Sequence, residues 1–150
     1  MSELLRIVYE VAAVRRDCQQ LHKRLFRINA TRLVDHLARR DRRDSPADRE
    51  QLAALRLRAQ QALDALTSIT NEDLEIRWGV EIHSLLREYS EALLRSLAAM
   101  DALVEFRRSA NLEDPSPAAN QAQSIKVAYD DSLQHLNRLG ARLNSLIASL

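Results

Sequence analysis

Only three prolines and two glycines interrupt the 150 residues of this chain, and the prolines fall at two places, Pro46 and the pair Pro115 and Pro117. A proline inside a helix removes a hydrogen bond and clashes with the preceding turn, and glycine there costs backbone entropy. Helices therefore stop where these residues gather and run on where they are absent. Between the marks, Leu and Ala recur every three or four residues, the period of an amphipathic helix. Aromatic residues make up 4% of the chain, and no alternating run of β-branched residues offers a strand. The fold class expected is all-α, an up-down bundle of about four long antiparallel helices with coiled-coil-like seams.

One domain is expected over 1–150, with helices over roughly 2–43, 46–69, 71–109 and 117–149. In the first segment Leu4, Ile7, Val11, Val14, Cys18, Leu21, Leu25 and Ile28 alternate by threes and fours without a polar exception, as a narrow packing seam does. Arg32 and Asp35 take the next seam positions while Phe26, Leu33 and Leu37 continue one position over, which predicts a register shift near Asn29 to Arg32. Ser45-Pro46-Ala47-Asp48 reads as a capped helix start. Leu52, Leu55, Ala59, Ala62, Leu66 and Ile69 then form the second stripe. Three β-branched residues and an asparagine cluster over Thr67 to Asn71, and Thr70 with Asp73 offers a new cap, so a break is favoured there.

The third segment has the widest apolar face, from Trp78 and Ile82 through Leu85, Leu86, Tyr89, Leu93 and Leu97 to Val104. Such a helix touches more than one neighbour and sits centrally. Trp78 reads as core filler on this face, with an interface anchor as its other reading. Gly79 beside it weakens the start, so the first turns bend or begin later. Ser116 and Pro117 read as the start of the last helix. Its stripe runs through Ile125, Tyr129, Leu136, Leu139, Leu143, Leu146 and Leu150, with Ser132 the one polar intruder.

Net charge is +1, but residues 1–60 carry a balance of +6 (14 basic, 8 acidic) and residues 61–150 one of −5 (8 basic, 13 acidic). Two halves of one bundle would attract each other. The alternative is a nucleic-acid-binding module on the basic segment Arg15–Arg43, with Arg39, Arg40, Arg42 and Arg43 as candidate anion-binding residues.

Little in the chain specifies a reaction. Glycines only at 79 and 140 exclude a Gly-rich phosphate loop. His22, His36, His83 and His135 are widely separated, and the Asp131/His135 pair supplies two ligands where a metal site needs more, so no metal is expected. A single cysteine forms no internal disulfide, and Cys18 on a seam position reads as packing. The spacing Arg77 to His83 fits the Arg-x(4–6)-His pattern of HEPN ribonucleases. Twenty arginines make that spacing expected by chance, and Trp78 stands where a polar residue usually follows the arginine. The segment Asn71 to Leu103 resembles small helical chaperones of bacterial flagellar or type III export, over about a fifth of the chain. It departs from one such family where Arg87-Glu88-Tyr89-Ser90 replaces a paired asparagine followed by glycine. That resemblance implies amphipathic helices presented to an unfolded client.

The expected function is therefore a non-catalytic helical protein–protein interaction protein: an adaptor, complex-assembly subunit or export-type chaperone. No cofactor is expected. The partner would be another protein or a second copy, gripped through Leu4, Ile7, Val11, Leu136, Leu139, Leu143, Leu146 and Leu150. No stretch approaches the roughly 18 apolar residues of a membrane span, and no secretory signal is recognised. The expectation is a soluble, cytoplasmic protein with no membrane partner.

Overall fold

A computed structural model describes residues 2–26, 46–109 and 115–150. It is an all-α helical bundle. Among the described residues there are four α-helices and no strand: α1 (Glu3–Phe26), α2 (Pro46–Thr67), α3 (Gly79–Ser109) and α4 (Pro115–Ala148), with a 3-10 turn at Glu72–Leu74. The register shift expected near Asn29 to Arg32, the Ser45 cap and the basic cluster Arg39 to Arg43 lie outside the described residues.

The helix ends follow from local chemistry. The Ser2 hydroxyl accepts the Leu5 N–H at 3.2 Å, capping α1, and Glu3 in its first turn pairs with Arg6. α2 opens on Pro46 with Asp48 in its first turn, where a missing N–H costs nothing and a carboxylate suits the dipole. α4 begins at Pro115, two residues before the expected start at Pro117. Both prolines then fall in the first turn, whose N–H groups have no partner within the helix.

The break between the second and third segments is present, and longer than expected. Thr70 donates both its hydroxyl (2.9 Å) and its N–H (3.3 Å) to one Asp73 oxygen, which closes a turn over the 3-10 stretch instead of starting a long helix at Asn71. α3 begins only at Gly79. Trp78 is thus not on the core face of α3: it precedes the helix with φ +63° and is 38% exposed. The cause is Gly79, whose Cα lies so close to Leu74 that an added Cβ would sit 2.8 Å from the Leu74 carbonyl carbon. A chain folded that tightly back on the turn puts the preceding residue in the left-handed region.

Side-chain pairs fix the helix directions. Arg24 reaches Asp48 at 3.3 Å and Arg58 reaches Asp17 at 2.7 Å, so α1 and α2 are antiparallel. Arg56 with Asp101, and His83 with the Leu66 carbonyl, make α2 and α3 antiparallel. Arg15 to Asn137 and His22 to Tyr129 do the same for α1 and α4. Among the described residues, ion pairs form both within the basic half and between the halves. Arg24–Asp48, Arg58–Glu10 and Arg58–Asp17 all lie within the first 60 residues, and Arg56–Asp101 crosses the halves. Exposed pairs of this kind stabilise by less than about 1 kcal/mol each.

All four helices contribute to one core, which includes Leu4, Leu21, Leu55, Leu86, Leu93, Leu97, Tyr129 and Leu136. α3 is central and packs against α1, α2 and α4. α4 lies close along α3, helped by Gly140, where an added Cβ would meet the Tyr89 ring at 3.2 Å. Against α1 the fit differs. Among the described residues no Cα of α1 comes within 8 Å of one in α4, and that seam is bridged by long side chains.

Candidate interaction surface

The apolar residues expected from the sequence to grip a partner sit largely inside the molecule. Leu4, Ile7, Val11, Leu136, Leu139 and Leu143 are buried in the chain's own core. Leu146 is half-buried, and Leu150 is exposed. The seams close on one another within the chain, because four helices in antiparallel order bring their stripes together at a common axis. The surface that remains is therefore not the regular stripe but includes places where the packing is irregular.

Two such places stand out. The first is the turn before α3. The Trp78 carbonyl accepts the Ile82 N–H at 2.8 Å, the first bond of the helix, so its backbone is held firmly while its ring is half out in solvent. The Arg77 guanidinium stacks over the indole at 5.3 Å from the ring centroid, and Val80 beside it is exposed. A left-handed conformation costs an L-residue roughly 1–2 kcal/mol, and for a bulky residue it is a genuine outlier.

The second is the open seam between α1 and α4, a cleft of about 180 Å³. Val8, Val11, Leu143 and Ile147 form its apolar walls, Tyr89 and Gly140 its floor, and Arg15, Arg16, Gln19 and Asn144 its polar edge. Arg15 crosses the seam to the Asn137 side-chain oxygen at 3.1 Å. Further along, His22 Nδ1 is 2.8 Å from the Tyr129 hydroxyl, with the rings stacked at 5.6 Å and 23°. Burial, with the Arg15 charge second, holds His22 below its ordinary value, and burial pushes both tyrosines up.

Other candidate residues are accounted for by packing. The Cys18 thiol is buried and pushed up to about 12 by that burial, so it stays protonated and unreactive. His83 Nε2 donates to the Leu66 carbonyl at 2.9 Å and Arg77 lies on Trp78, so the nuclease-like spacing joins two structural contacts. Among the described residues no group of three or more His, Cys, Asp or Glu is placed to hold a metal ion, and no helix is long and apolar enough to cross a membrane. In the described part of the basic stripe, Arg15 and Arg24 are engaged within the molecule while Arg16 and Lys23 face solvent.

The sequence reading missed Arg15 as a bridging residue, placing it in the basic segment Arg15–Arg43 offered for anion binding. The signal available was its position beside the seam, four residues after Val11 and one after Val14. Comparison with known protein families, curated proteins and solved structures finds no match to this chain.

Proposed function

We propose that this is a non-catalytic helical interaction protein, an adaptor, complex-assembly subunit or export-type chaperone, that binds another protein or a second copy of itself through the surface around Trp78. The observation that carries this reading is Trp78 itself: a tryptophan with φ +63° and 38% exposure, next to exposed Val80. Strained residues persist where the surrounding structure over-determines them, and they cluster at functional sites. Tryptophan is also the residue type most enriched among the side chains that dominate interface energies. An exposed indole with a guanidinium on one face presents a large apolar surface with little conformational entropy to lose.

Trp78 is the only tryptophan in the chain, which makes the test direct. The tagged protein is isolated from its host with whatever it retains, and acrylamide quenching of tryptophan emission is compared before and after the complex is stripped. Partner chains contribute tryptophans, so the same comparison is made on Trp78→Phe, and the difference isolates the Trp78 signal. Protection in the complex and exposure in the stripped chain are expected. Equal quenching in both states would remove Trp78 from the interface.

A further inference from the structure

We infer that the open seam between α1 and α4 is an anchor pocket for an acidic segment of a partner protein, taking one apolar side chain with carboxylates beside it. The inference rests on the interaction reading but on residues other than Trp78 and its neighbours Arg77 and Val80.

Shape supplies the first argument. The Arg15–Asn137 and His22–Tyr129 bridges span the seam and stand between the two helices. Beside them is a cleft of about 180 Å³ with Tyr89 and Gly140 at its base. An apolar cavity of roughly 150 Å³ holds benzene, so a phenylalanine or leucine side chain is the natural occupant. Buried apolar anchors in such pockets dominate interface energies.

Charge supplies the second. The acids of α1 at this height, Glu10 and Asp17, turn away toward α2 and pair with Arg58 at 3.2 and 2.7 Å. Arg15 and Arg16 turn the other way, onto the cleft. The facing wall cannot answer them, because residues 132–150 contain neither Asp nor Glu. Arg15 is held by the neutral side-chain oxygen of Asn137, and among the described residues no ion pair engages Arg15 or Arg16. A half-buried guanidinium with neutral partners and open N–H groups favours a carboxylate, which it bonds through two parallel, charge-assisted hydrogen bonds. An apolar base under a basic rim therefore selects an apolar residue flanked by Glu or Asp, and repels the same residue flanked by Lys.

The test titrates the full-length ¹⁵N-labelled protein with a blocked peptide carrying one phenylalanine between glutamates. A lysine-flanked peptide and free 3-phenylpropionate serve as comparisons. Saturable shifts are expected at Val11, Arg15, Gly140 and Asn144, with the lysine peptide weaker by about tenfold or more. Arg16→Gln, at an exposed position, should weaken the glutamate peptide without changing helicity, and Ile147→Trp should abolish binding by filling the cleft. Equal binding of both peptides, shifts elsewhere, or no saturable shift would overturn the inference. So would 3-phenylpropionate binding as tightly as the glutamate peptide, which would mark a site for small acids. A native complex that survives Arg16→Gln and Ile147→Trp but is lost on Trp78→Gly would overturn this inference and leave the interaction reading standing.

Discussion

Gly79 has no room for a side chain, because a Cβ would stand 2.8 Å from the Leu74 carbonyl carbon and closer still to its oxygen. That neighbour is backbone and cannot swing aside. Gly79→Ala is therefore expected to destabilise the chain by at least about 2 kcal/mol, measured by urea denaturation, and a wild-type midpoint would contradict the turn geometry. His22 gives a second residue-scale prediction. Burial chiefly, and then Arg15, lower its pKa from 6.5, with Asp130 opposing them. The unfolded chain thus takes up a proton at a pH where the folded chain does not. The stability His22 contributes is complete above pH 6.5 and is lost as pH falls through the lower, folded value. Wild type and His22→Gln are compared in the same buffers, so that the carboxylates common to both cancel. The wild-type melting temperature should fall more steeply on acidification below neutrality, and parallel curves would show that His22 is not held neutral.

At the scale of the helix, α3 carries two buried hydroxyls, Ser90 and Ser96, that have no hydrogen-bond partner among the described residues. A buried unpaired hydroxyl costs about 1–3 kcal/mol and alanine has the better helix propensity. Ser90→Ala and Ser96→Ala should therefore each be neutral or stabilising by up to about 1 kcal/mol in thermal or urea unfolding. A clear loss of stability in either would mean that its hydroxyl bonds within the fold. The stripe on which these serines lie was legible in the sequence. Ile82, Leu86, Tyr89, Leu93 and Leu97 repeat at threes and fours, and all are buried. Such stripes are written in local spacing. The start of α3 was not, because it depends on Leu74 folding back against Gly79, a contact set by the path of the turn. Trp78 was read as core for that reason: one residue's change of backbone region takes it off the helix face that its spacing implied.

At the scale of the molecule, the all-α class was legible in proline placement and in the helical spacing of the apolar residues. Which seams would face inward was not. Leu4, Ile7 and Val11 look identical on paper whether they meet another chain or α2 and α3 of their own. Only the tertiary arrangement shows them buried, and Trp78 and the Arg15 seam are the surfaces proposed in their place. Glycine adopts the left-handed conformation without steric cost, so Trp78→Gly keeps the turn and removes only the ring. That makes one comparison decisive: the light-scattering mass of wild-type and Trp78→Gly protein isolated from the native host, with circular dichroism confirming equal helicity. Wild type is predicted to exceed the 17.1 kDa of a single chain, through a retained partner or a second copy, and Trp78→Gly to return to that mass. A wild-type protein at 17.1 kDa at every concentration, with nothing bound, would contradict the account.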